Sequence, residues 1–168
     1  VPNDNLYAGF YQWYYNTNGD PNIDIEGAWD LETGDPNVVV AVIGAGVALN
    51  HEDLGKGSDS YENIYKNPGE DSWNNPLDPT TGDGQDGQDN NTYVDDWKGW
   101  NFYEDINDPT PQYNTSSHGT KVAGIIGAKT NNNKGIAGAA GGLNNKGAQI
   151  MPLNVAKENP YGSGVVPV

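Results

Sequence analysis

Val38 through Ile43 is an unbroken run of β-branched and small apolar residues, and it ends on Gly44-Ala45-Gly46. A run this short and this apolar offers no polar face to water. It reads as a strand buried on both sides, in the middle of a parallel sheet. Parallel strands need long crossovers, usually through a helix. The rest of the chain supplies such pieces in order. Ser117 stands where a helix cap is expected, ahead of a helical pattern from His118 to about Ala128. Gly124 and Gly127 in that helix suggest close packing on a sheet, and Gly147 to Val155 reads as a second buried strand. Trp97 to Phe102 resembles a further strand, Asn63-Ile64-Tyr65 a short one, and Ile23 to Leu31 a weak helix. Strand, loop, helix, strand implies an α/β fold. The aromatic stretch from Leu6 to Tyr15 is expected to pack against the body of the protein.

The chain has 168 residues, enough for one domain or part of a larger one. Acidic residues outnumber Lys and Arg by 23 to 8, a formal charge of -15. Such a chain repels phosphate backbones and anionic lipid, which argues against nucleic-acid and membrane partners. No apolar run approaches the roughly 18 residues that span a membrane. The absence of Cys excludes disulfides, zinc-thiolate sites and thiol catalysis within the chain. The start at Val1-Pro2 is what a processed or excised N-terminus would give. The acid excess has two readings, solubility or bound cations, and the clustering of Asp with Asn favours cations for part of it. Residues 55–96 are polar and rich in Gly, Pro, Asp and Asn. A loop of that length is usually functional or ligand-stabilised. His51 and His118 are too far apart to suggest zinc, and His51 reads as structural. The triplets Asn90-Asn91-Thr92 and Asn114-Thr115-Ser116 are formal glycosylation sequons of a kind that often arises by chance.

Three segments carry a family resemblance. The first is Val40-Ala41-Val42-Ile43-Gly44-Ala45-Gly46-Val47, running on to His51-Glu52-Asp53-Leu54. The second is Ser117-His118-Gly119-Thr120-Lys121-Val122-Ala123-Gly124. The third is Asn132-Asn133-Lys134-Gly135-Ile136-Ala137-Gly138, followed by Ile150-Met151-Pro152-Leu153-Asn154-Val155. In order and spacing they resemble the N-terminal half of the catalytic domain of subtilisin-like serine peptidases, the subtilases. The resemblance covers nearly the whole chain. It implies a three-layer α/β domain on a parallel central sheet, with residues 1–168 as its N-terminal part, ending before the oxyanion Asn and the nucleophilic Ser. It implies hydrolysis of peptide bonds in peptide or protein substrates, and a secreted protein.

Serine chemistry needs an imidazole to take the hydroxyl proton and a carboxylate to fix the imidazole's tautomer. By the resemblance His118 is the general base. The position of the triad Asp is Gly44, with Ala45 and Ala48 also departing from the family pattern. Ser163, in Gly162-Ser163-Gly164, matches a substrate-side loop and not the nucleophile motif. The chain alone is therefore expected to be catalytically incompetent.

The resemblance also implies calcium. One family site matches Asp4, Asp53 and Asn132, completed by backbone carbonyls of Lys129, Lys134 and Ile136. Hard oxygen donors in that number suit Ca²⁺, which takes six to eight. A second resembles a calcium loop and points to Asp89, Asn91 and Asp96. Gly87 and Gln88 stand just before it, where such loops carry Asp, so two carboxylates are expected to be missing.

Other functions compete with this reading. A pseudopeptidase would keep the fold as a calcium-stabilised binding or assembly module. A nicked enzyme would find its Ser in another chain. Gly44-Ala45-Gly46 after a buried strand also hints at dinucleotide binding, but Leu49 holds the place of the third Gly and no amphipathic helix follows. A half-fold of this kind exposes a sheet edge and apolar surface. It is expected to hold the missing C-terminal half, bind another chain, or self-associate.

Overall fold

The computed structural model describes residues 1–7, 11–15, 22–55, 62–112, 117–158 and 165–167. Ser163 and the sequon at Asn114 lie outside these. The elements are α1 (Ile25–Trp29), β1 (Val39–Gly44), β2 (Trp100–Asn101), α2 (His118–Gly127), β3 (Gln149–Asn154), β4 (Ala156–Glu158) and β5 (Val165–Pro167), with single helical turns at Glu52–Leu54 and Pro79–Thr81. β1, β3 and β2 form a parallel sheet in that order, with Val39 opposite Gln149 and Gly44 opposite Asn154. β4 and β5 pair antiparallel. The α/β expectation and the parallel sheet therefore hold.

Helix α2 crosses one face of the sheet. Ala123, Val122 and Ile126 of α2 pack against Val42, Ile150 and Ile64. Trp73 and Trp97 join the same core from the long loop, their rings 5.6 Å apart at 71°. The expected strand at Asn63-Ile64-Tyr65 is a single parallel bridge from Ile64 to Ile150, and the one from Trp97 is limited to Trp100 and Asn101. A second cluster joins Tyr15, Ile25 and Ala137 with Tyr7 and Trp29, which places part of the N-terminal aromatic stretch against the body. Tyr11 and Trp13 remain exposed.

Two expectations are corrected. β1 is not buried on both faces: Val42 is buried, whereas Val39, Ala41 and Ile43 are exposed. The alternation follows from the layers, because α2 covers only one side and β3 is the sole neighbour of β1 among the described residues. Ser117 occupies the N-cap position of α2, but its side chain makes no capping bond. Among the described residues no helix is long and apolar enough to cross a membrane.

Candidate functional site

β1 and α2 meet at the carboxyl end of the sheet, where open parallel sheets place their sites. The side chains of Val42 and Ile150 point toward α2, so residue 44, two further along β1, presents the same face. The two ends of α2 fix its direction. Near its end, a Cβ on Gly127 would lie 3.1 Å from Ile150 Cδ1. At its start, a Cβ on Gly119 would collide with the carbonyl oxygen of Gly46. The Ala48 N–H donates to Thr120 Oγ1 at 3.0 Å, tying the turn after β1 to the first turn of α2. His118, the first residue of α2, thus stands beside the turn at the carboxyl end of β1. Its ring is exposed and makes no hydrogen bond among the described residues.

The loop Asp108–Pro111 closes the other flank. Val47 N–H donates to Pro109 O at 3.1 Å. Gly46 has φ +97°, and a Cβ there would be 2.7 Å from that same carbonyl oxygen, so only glycine fits. Asn154, opposite Gly44, is buried; its Nδ2 reaches Thr110 O at 3.5 Å and its Oδ1 accepts from Ala156 N–H at 3.2 Å. The arrangement is a strand end, a helix start and a bracing loop around one imidazole, with no carboxylate at residue 44.

The sequence pattern of the subtilase family matches residues 35–166, the stretch that builds this frame. The chain belongs to the subtilase family. It is 34% identical over 155 residues to an extracellular protease of Xanthomonas campestris pv. campestris, covering 92% of this chain and 23% of that protein. An extracellular basic protease of Dichelobacter nodosus is 33% identical over 160 residues, with 92% and 23% covered. A halolysin-like extracellular serine protease, Nep, of Natrialba magadii is 28% identical over 138 residues, with 82% and 18% covered. The subtilase chain described here thus spans only about a fifth of the length of these relatives.

Asp4, Asp53 and Asn132 are brought together from three distant segments. Both carboxylates are buried. Asp4 accepts from the N–H groups of Asn131 (2.7 Å) and Asn132 (3.3 Å). Asp53 accepts from Asn132 Nδ2 at 3.1 Å and Ile136 N–H at 2.9 Å. Lys129 N–H donates to Asp53 O at 2.7 Å, and Lys134 N–H to Asn132 Oδ1 at 2.9 Å. These bonds bring the six residues into one neighbourhood, Lys129, Lys134 and Ile136 through their N–H groups and not through the carbonyls that were expected to ligate. Burial pushes the Asp53 carboxyl up, the Ile136 and Asn132 bonds oppose it, and the charge of Asp4 adds to the rise. Asp4 is likewise raised by burial, against its bonds to Asn131 and Asn132. Two buried carboxylates, each raised by burial and one of them also by the charge of the other, suit a hard cation. Asn132 turns its nitrogen toward Asp53, so ligation through its oxygen requires the amide to flip. His51 caps the turn at Asp53, its Nδ1 accepting from Asp53 N–H at 3.2 Å.

The second acidic group is larger than the sequence suggested. Asn67 Nδ2 donates to Asp89 at 2.7 Å and to Asp96 at 2.6 Å. Asn91 Nδ2 bridges the same two carboxylates at 2.9 and 3.1 Å. Glu70, Asp86 and Asp89 each place one oxygen within 4.8 Å of the others, a set that can hold a metal ion. Oδ1 of Asp86 is buried and has no hydrogen-bond partner. An orphaned oxygen beside two further carboxylates fits a cation. Asp86 and, across the loop, Glu70 bring further carboxylates beside Asp89. Asp86 was readable from its place in the Asp-rich run; Glu70 was not, because only the fold brings it near. Burial raises Asp96 first, its Asn67 and Asn91 bonds lower it, and the charges of Asp89 and Asp86 raise it again. Glu70 is raised by burial and by the same acidic neighbours, against its bond to Gly87 N–H.

Proposed function

We propose that this subtilase chain forms the N-terminal, imidazole-bearing part of a secreted peptidase domain, held by calcium and unable to turn over peptide by itself. The observation that carries the reading is His118 as the first residue of α2, at the carboxyl end of β1, where residue 44 has no side chain. In the reaction, His118 accepts the proton of a serine hydroxyl as that oxygen attacks a peptide carbonyl, then returns it to the leaving amine. A carboxylate at residue 44 would hold the ring's other N–H and stabilise the imidazolium. Its loss costs about 10⁴-fold in kcat, and loss of the nucleophile about 10⁶-fold. The frame thus supports peptide chemistry only when a serine-bearing segment completes it, and slow chemistry even then. The exposed Val39, Ala41 and Ile43 form a surface such a segment would cover.

Calcium would be held by Asp4, Asp53, Asn132 and the carbonyls of Lys129, Lys134 and Ile136, and separately by Asp89, Asn91 and Asp96 with Glu70 and Asp86. It would neutralise charge and so let the buried carboxylates of Asp4, Asp53 and Glu70 stay ionised. Export is supported by the extracellular relatives. Gly44 also favours a second reading, in which the chain binds polypeptide without cutting it.

Denaturing mass spectrometry after exposure to a fluorophosphonate tests the catalytic reading. No adduct and no peptide turnover are expected from the chain alone. A serine adduct on it would overturn catalytic incompetence.

A further inference from the structure

Between the two acidic sites lies one buried carboxylate that belongs to neither. Glu62 is 2% exposed and divides its charge between two lysines. Its Oε1 accepts from Lys98 Nζ at 2.7 Å. Its Oε2 lies 3.0 Å from Lys66 Nζ, a charge contact without hydrogen-bond geometry. Lys98 is fully buried, with its Nζ 4.8 Å from the centre of the Trp97 ring. Such a pair keeps one geometry, because parting it leaves an unpaired charge in the interior.

Both lysines lead into the Asp-rich loop. Lys98 follows Asp96 by two residues, and Lys66 directly precedes Asn67. Asn67 N–H donates to Trp97 O at 2.8 Å, and its Nδ2 joins Asp89 to Asp96. In the other direction Glu62 meets the turn that carries Asp53. That turn ends on Gly55, at φ +101°, and a Cβ there would lie 2.5 Å from Glu62 Cα. Leu54 of the same turn shares a core with Ile64 and Trp97. Glu62 therefore touches the seat of Asp53 on one side and grips the flank of Asp96 on the other.

Each site also contains a side chain with two uses. The Asn132 amide donates to Asp53, and the Asn67 amide donates to Asp89 and Asp96. A cation among these carboxylates competes with those N–H donors, so its binding shifts Asn132 in one site and Asn67 in the other. An ion that orders the shared frame lowers the ordering cost left for the second ion.

We propose that the two cation sites are coupled through Glu62, so that calcium at either one strengthens calcium at the other. Glu62 is a positioning residue and ligates neither ion. This coupling rests on the calcium reading and goes beyond it, because that reading treats the sites as separate.

Calorimetric Ca²⁺ titration of the full chain is compared with that of Asp53→Asn and Asp89→Asn. Asp53→Asn should lose its own site and bind Ca²⁺ at the loop at least about fivefold more weakly than the parent chain, and Asp89→Asn should weaken the Asp53 site by the same factor, since linkage is reciprocal. The same two substitutions are then made in a chain carrying Glu62→Leu and Lys98→Met, a swap that leaves the net charge unchanged. Both sites should still bind there, and both long-range effects should vanish. Lys66→Met, which frees one Glu62 oxygen and keeps the buried pair, should shrink the factor and serves if circular dichroism shows the double variant unfolded. A factor that persists unchanged in whichever of these backgrounds folds is a through-space effect of the lost charge and overturns the role of Glu62. Two binding events that ignore each other in Asp53→Asn and Asp89→Asn overturn the coupling and leave the calcium reading intact. A parent chain that binds no Ca²⁺ overturns both.

Discussion

Gly119 and Gly124 lie on one helix and respond to opposite pressures. A Cβ on Gly119 runs into the backbone oxygen of Gly46, which has no room to move, whereas a Cβ on Gly124 meets only the Cδ1 of Ile136 at 3.3 Å. Gly119→Ala should destabilise the chain by about 2 kcal/mol through overpacking. Gly124→Ala should be neutral or stabilising by up to about 1 kcal/mol through helix propensity. Urea unfolding of both variants checks this, and a stable Gly119→Ala would mean the helix start is not docked on the turn. This contrast was invisible in the sequence, which marked Gly124 and Gly127 as packing residues and was silent on Gly119. The places of Gly44 at the end of β1 and His118 at the start of α2 were legible because local sequence patterns mark that strand and that helix. The buried pair of Lys98 and Glu62, 2.7 Å apart, was not, because nothing local marks a lysine as buried. Burial lowers Lys98, and its bond to Glu62 opposes that. A lowered lysine binds fewer protons folded than unfolded, so its charging cost fades as pH rises toward the ordinary 10.5. Glu62→Leu removes a carboxylate that also lies 3.0 Å from Lys66. It should cost about 3 kcal/mol, and the double variant with Lys98→Met should recover most of that. A double variant no more stable than Glu62→Leu would show the loss is packing, not charge.

At the scale of elements, the N-terminal segment is a strap. Leu6 N–H donates to Gly135 O at 2.9 Å, and Gln12 exchanges two 2.8 Å bonds with the backbone of Ala137. Tyr15 OH donates to Ile125 O at 3.1 Å and Tyr7 OH to Glu26 at 2.8 Å. Burial raises both phenols, and Glu26 raises Tyr7 further. For a raised group the stabilisation is complete below the unfolded value of 10.0 and is lost as pH climbs through the folded value. Alkaline loss of stability should therefore begin above the unfolded value of 10.0. The double variant Tyr7→Phe, Tyr15→Phe should be about 1–2 kcal/mol less stable near neutrality, yet show a shallower alkaline loss by circular dichroism. An unchanged alkaline slope would show that other groups set it. The acidic loop follows a similar logic of distant parts. Asp89, Asn91 and Asp96 were readable as a local cluster, but Asn67 and Glu70 arrive from another stretch of chain and only packing reveals them. Calorimetric Ca²⁺ titration should resolve two events. Asp53→Asn should remove one, and Asn67→Ala should weaken the other about tenfold, as loss of a group supporting ligands does. Equal effects of the two variants on both events would merge the sites. The strand β1 shows the converse limit. Its run of apolar residues was read as burial on both faces, but the described residues cover only one.

Across the whole molecule, charge and apolar surface act against each other. The formal charge of -15 on 168 residues repels both itself and a second copy. Val39 and Ile43, 41% and 66% exposed on the uncovered face of β1, favour contact. Salt weakens the first effect and leaves the second, because at about 1 M the Debye length shrinks to about 3 Å. Raising salt in calcium-free buffer should therefore do two things at once. The midpoint of thermal unfolding should rise as intramolecular repulsion is screened, at every protein concentration. Association should also appear by sedimentation velocity, growing with protein concentration. Ile43→Lys places a charge on the exposed face without touching the core. It should suppress the association while leaving the salt-dependent rise in stability in place. If the variant loses both together, the stabilisation by salt comes from association and the charge of the single chain is not what limits its fold.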